Sequence, residues 1–90
     1  MTADYDSAAD VLYVMVNPPE QVEGDGRPEG VELDYSMKNG EPCGVTVIGF
    51  KQYGWPSKID KLAKIVGDHL TVQPKIISSK IDELMSAQIH

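Results

Sequence analysis

The sequence has little of the material from which familiar active sites are built. It holds one cysteine, one tryptophan, one phenylalanine and two histidines, and Arg27 is its single arginine. With one thiol, Cys43, no intrachain disulfide can form, which fits a reducing cytoplasm. The apolar run Val11 to Val16 is six residues long, far short of the roughly 20 needed to cross a bilayer, and the N-terminus lacks the basic residues of a secretory signal. A cytoplasmic chain with no membrane partner is therefore expected. One arginine leaves almost no bidentate chemistry for phosphate or guanine, which argues against nucleic acid. The glycines around Asp25 lack the strand and helix of a phosphate loop, so residues 24 to 26 read as a flexible turn. Asp4, Asp6 and Asp10 miss the glycine and glutamate of a calcium loop, and His69 has no second histidine near it, since His90 ends the chain. No cofactor, metal or catalytic set emerges, and the chain reads as non-enzymatic.

What is present is patterned for a small sheet. At 90 residues the chain makes one domain, with a sheet expected in residues 1 to 52 and helices in residues 57 to 88. Asp6 can accept hydrogen bonds from the amides that follow it, so the opening reads as strand, turn, strand. In the run from Val11 to Val16 both alternating faces are apolar, as in a strand covered on both sides. A loop rich in proline, glycine and acid follows, with a short edge strand at residues 21 to 23.

Residues 30 to 50 form the clearest hairpin. With Gly40 in a left-handed bulge position, Met37 pairs with Glu41, Leu33 with Val45 and Val31 with Val47, so the apolar side chains share one face. Each such burial is worth about 1.5–3 kcal/mol, more than the difference between common turns, and this selects the register. The opposite face carries Glu32, Asp34 and Ser36, then Ile48 and Phe50, which the helices are expected to cover. Ser57 suits an N-cap, Ile59, Leu62, Ala63 and Val66 recur at helical spacing, and Gly67 reads as the stop. A second helix buries Ile77, Ile81 and Leu84, with Pro74 in a first turn or the capping box at residues 79 to 82 as its start. Residues 69 to 77 are open between helix and extended chain. The fold class expected is α+β: an antiparallel sheet of about four to five strands followed by one or two C-terminal helices.

Tyr5, Asp6, Ala9, Asp10, Leu12 and Tyr13, followed by Gly30, Val31, Asp34, Tyr35, Gly40 and Gly44, give the chain a resemblance. Over residues 4 to 51 it resembles the prokaryotic domain-of-unknown-function family 2283, departing at Cys43, where a bulky aliphatic is more usual. The resemblance implies a small antiparallel sheet, brings no catalytic residues and hints at an antitoxin-like regulator.

Charge is unevenly placed: residues 1 to 50 carry ten acids and two bases, residues 51 to 90 four acids and six bases. Candidate contact residues for a partner or ligand are Asp34, Tyr35, Tyr53, Trp55 and His69. Tyr53 and Trp55 suit a partner surface because each buries a large area with few rotatable bonds, although Trp55 can equally plug the junction of sheet and helix. His69 after a helix stop can be a base, a ligand or a dipole-stabilised surface residue. Ala63 and Gly67 have the spacing of a helix-turn-helix, but Asp68 and Pro74 do not suit one. Two apolar strand faces against few helices lead to the expectation of a homodimer that also contacts another protein through its acidic end, with Tyr53 or Trp55 at the dimer edge. The rival reading is a small-molecule pocket lined by Tyr13, Tyr35 and Trp55.

Overall fold

The computed structural model describes residues 1–17 and 21–87 and has the α+β architecture. Strands β1 (Thr2–Asp6), β2 (Val11–Met15), β3 (Val22–Gly26), β4 (Val31–Ser36) and β5 (Pro42–Ile48) form one sheet in the order β1-β2-β5-β4-β3. Every neighbouring pair is antiparallel. Helices α1 (Ile59–Leu70) and α2 (Pro74–Ala87) follow as a helical hairpin. No helix among the described residues is long and apolar enough to cross a membrane.

Register places the core on one side of the sheet. Tyr5 faces Leu12, Leu12 faces Val47 and Val47 faces Val31, while Val14 and Val45 form the next layer with Ala3 and Leu33. Onto these rows pack Leu62, Ala63 and Val66 of α1 and Ile77 and Ile81 of α2, with Phe50 and Trp55 filling the junction. Leu12, Val45, Val47, Phe50, Leu62, Val66, Ile77 and Ile81 are fully buried, each contributing on the order of 1.5–3 kcal/mol.

Several expectations need correction. In the hairpin, Gly40 has φ 72° and the valine and leucine pairs are as expected, but the turn closes on Ser36 rather than Met37. Ser36 N–H donates to Glu41 O at 2.8 Å, and Gly40 N–H donates to Ser36 O at 2.7 Å. The extra residue is taken up at Cys43, since Asp34 pairs with Gly44 and Tyr35 with Pro42. Alternation put Ile48 and Phe50 on one face under the helices. Gly49, with φ 72°, turns the chain between them, so Phe50 enters the core while Ile48 stays 55% exposed on the other face. The helices cover the valine face instead.

Residues 24 to 26 are not a turn but the end of edge strand β3, paired with Asp34, Leu33 and Glu32. Ser57 does not cap α1: it lies in a 3-10 turn, Trp55–Ser57, and its hydroxyl donates to Gly54 O. Lys58 takes the N-cap position without a side-chain bond. Gly67 does not stop α1, which runs to Leu70 and ends on left-handed Thr71, with Val72 N–H donating to Gly67 O. A Cβ at Gly67 would meet Val72 O at 2.6 Å and Pro74 at 3.2 Å, so this glycine serves close packing. The link between helices is residues 71 to 73; Pro74 opens α2, and the capping-box pattern at Ser79 lies inside it. His90 lies outside the described residues.

Candidate functional site

The acidic opening is a structural turn. Asp6 Oδ1 accepts from the amides of Ala8 at 3.0 Å and Ala9 at 3.2 Å, as a short acceptor before a tight turn should. Asp10, with φ 56°, ties this turn to the β5–α1 connection. Its carboxylate accepts from the Tyr5 hydroxyl at 2.8 Å, Lys51 N–H at 2.8 Å and Gln52 N–H at 3.1 Å, while its carbonyl accepts from Gly49 and Phe50 N–H. Burial pushes the Asp10 carboxyl up, but the Lys51 amide, the Tyr5 hydroxyl and the Gln52 amide, with the Lys51 ammonium, together hold it below its ordinary value. Tyr5 shows the converse: burial first, then the neighbouring Asp10, raises its hydroxyl to about 12.

The five candidate contact residues do not converge on one site. Asp34 and Tyr35 are consecutive on β4, so their side chains leave opposite faces of the sheet. Tyr35 meets His69 on the helical side, ring to ring at 5.0 Å and 86°. His69, in the last turn of α1, bonds through Nε2 to the backbone oxygen of Asp34 at 3.1 Å, not to its carboxylate. Trp55 is 1% exposed and donates from Nε1 to Glu29 O at 2.8 Å, so it plugs the junction and is no surface anchor. Tyr53 is 48% exposed. A pocket joining Tyr13, Tyr35 and Trp55 does not exist: Tyr13 lies on the other face, and Tyr35 and Trp55 stand at opposite ends of β4, with Val31 and Leu33 in the rows between.

The candidate surface is the open face of the sheet. Alternation sends Val11, Tyr13 and Met15 of β2 and Thr46 and Ile48 of β5 away from the helices, in register with one another. Tyr13 is 37% exposed, and Met15 crosses Gly44, where a Cβ would collide with its sulfur. To one side, β1 presents Asp4 and Asp6 opposite Tyr13 and Val11. To the other lies a second acidic patch. Asp34 is 1% exposed; its Oδ2 accepts from the Thr46 hydroxyl at 2.7 Å and its Oδ1 has no partner. Glu32, two residues along the same face, crosses Gly24 and has its carboxyl pushed up by burial and then by the Asp34 carboxylate. Burial and Asp34 also push the Cys43 thiol up, which suppresses its thiolate and with it nucleophilic chemistry. Among the described residues no group of three potential metal ligands occurs.

Sequence reasoning missed Asp10 as the hub of the turn; it placed Glu32, Asp34 and Ile48 together on one face but expected the helices to cover Ile48, and so missed that this face is open. Comparison of the chain with protein-family models, with curated proteins and with solved structures finds no match.

Proposed function

We propose that the protein is a non-enzymatic interaction module that self-associates as a homodimer through the open face of its sheet. The observation that carries this reading is the exposure of Ile48 and Tyr13 on adjacent inner strands, while both helices pack on the opposite side. A stripe of tyrosine, methionine and isoleucine on a sheet interior, with Val11 buried beneath it, is the kind of apolar surface that soluble domains cover, and a twofold axis through it uses the same patch twice. Edge-to-edge pairing is disfavoured by charge. The outer strands carry Asp4 and Asp6 on β1 and Glu23 and Asp25 on β3, so two copies joined along either edge would align like charges. The acids flanking the stripe suit a second, basic protein partner at the rim of the assembly.

Sedimentation equilibrium tests the reading. The unmodified chain is expected at twice its 9.9 kDa mass, and Ile48→Lys at the mass of a folded monomer. A monomer at all accessible concentrations, or an Ile48→Lys variant that remains dimeric, contradicts it.

A further inference from the structure

On the helical side, away from the open face, a groove of about 350 Å³ runs between β4, the 3-10 turn Pro28–Gly30 and α1. Its floor is apolar, made by Val31, Leu33, Trp55 and Ile65, and its rim carries Arg27, Lys61 and the Glu29 carboxylate, which Lys58 pairs and Lys61 also attracts. The wall is held in place before anything enters, because the Trp55 indole is bonded to Glu29 O and the Lys58 ammonium sits 4.4 Å from the ring centre. In a chain of net charge −6 this is a concentration of cations, and they are not equally engaged. Arg27 is paired with Asp25 and Lys58 with Glu29, whereas Lys61 makes no ion pair among the described residues and places its ammonium 5.9 Å from the Trp55 ring centre.

We propose that this groove binds a small carboxylate with an apolar body, the hydrocarbon lying on Val31, Leu33 and Ile65 and the carboxylate meeting Lys61. The volume is at the small end of the roughly 300–1,000 Å³ typical of ligand sites, which suits a body of about eight carbons rather than a peptide. One ammonium without an ion pair beside apolar walls matches a single negative charge; a phosphate would bring a second charge with no further unpaired cation of the groove, among the described residues, to meet it. The site is independent of the sheet face proposed for dimerisation.

Trp55 is the only tryptophan and lines the groove, so its fluorescence reports occupancy directly. Titration with octanoate is expected to give a saturable change, and titration with octanol a markedly weaker one. Lys61→Glu, an exposed position, is expected to weaken octanoate binding about fivefold while leaving octanol unchanged. Lys64→Glu makes the same charge change at an exposed position outside the groove and should have no effect. The titration is repeated in Ile48→Lys, where binding should persist if the ligand occupies the groove. Absence of a saturable response, equal affinity for octanoate and octanol, an unchanged Lys61→Glu variant, or loss of binding in Ile48→Lys overturns the proposal.

Discussion

Asp10 joins the first turn of the chain to the connection that leads into the helices, and removing its carboxylate should be costly in a calculable way. In Asp10→Ala the Tyr5 hydroxyl, the Lys51 amide and the Gln52 amide all lose their acceptor. At a net ~0.5–1.5 kcal/mol for each bond, with the Tyr5 hydroxyl at the upper end because Tyr5 is buried, this comes to about 2–4 kcal/mol. The residue also has φ 56°, which aspartate tolerates and alanine resists by roughly 1 kcal/mol. The expected loss is about 3–5 kcal/mol, a large part of the ~5–15 kcal/mol that holds a typical domain together. Asp10→Asn keeps the backbone tolerance and one acceptor oxygen but turns an amide toward a donor, so about half that loss is expected. Urea unfolding followed by Trp55 fluorescence measures both. Because the folded carboxyl titrates below its ordinary value, its contribution is present above about pH 4 and disappears as pH falls through the folded value. The difference between the unmodified chain and Asp10→Asn should therefore shrink on acidification. An Asp10→Ala midpoint within experimental error of the unmodified chain would refute the reasoning.

Other perturbations separate the two faces and the two turns. Val14→Lys should unfold the chain, since Val14 is 1% exposed within the core, whereas Tyr13→Lys next to it should fold normally; circular dichroism distinguishes them, and a folded Val14→Lys contradicts the register. Gly40→Val should cost more than about 1 kcal/mol through its left-handed backbone alone, because the space around a Cβ there is empty, and Gly40→Asn should cost less. Glu32 carries a carboxyl raised by folding, so it favours the folded state at low pH and loses that contribution as pH rises through the raised value. Glu32→Gln, which removes the titrating carboxyl, should gain stability relative to the unmodified chain as pH rises above the ordinary glutamate range in paired urea titrations; a difference that does not change with pH contradicts the raised carboxyl.

What was legible followed from alternation. The two-faced pattern of Val11 to Val16 identified an inner strand, and the apolar pairs Val31 with Val47 and Leu33 with Val45 identified a register that a turn rule alone would have missed. Asp6 and Gly40 were legible because each needs only its own neighbours in sequence. The failures came where a local signal had a second use. Gly49 looks like an ordinary strand glycine, yet it turns the chain and so decides that Phe50 is buried and Ile48 is not. Gly67 has the composition of a helix stop but is there to admit Val72 and Pro74. Ser57 has the chemistry of a cap and is occupied by the turn after Trp55. The candidate contact residues failed as a set because neighbours along a strand point apart, which separates Asp34 from Tyr35, and because Trp55 is taken by Glu29, which would be roughly 90 Å of extended chain away if residues 29 to 55 were not folded back by the hairpin.

The most direct test of self-association through the open face is isotope-filtered nuclear Overhauser spectroscopy on a mixture of labelled and unlabelled chains. Contacts between copies are expected from the methyl groups of Met15 and Ile48 and the ring of Tyr13, with none from Val14, Val45 or Val47. Contacts between copies confined to β1 or β3, or none in a sample that sediments as a single chain, would contradict the account.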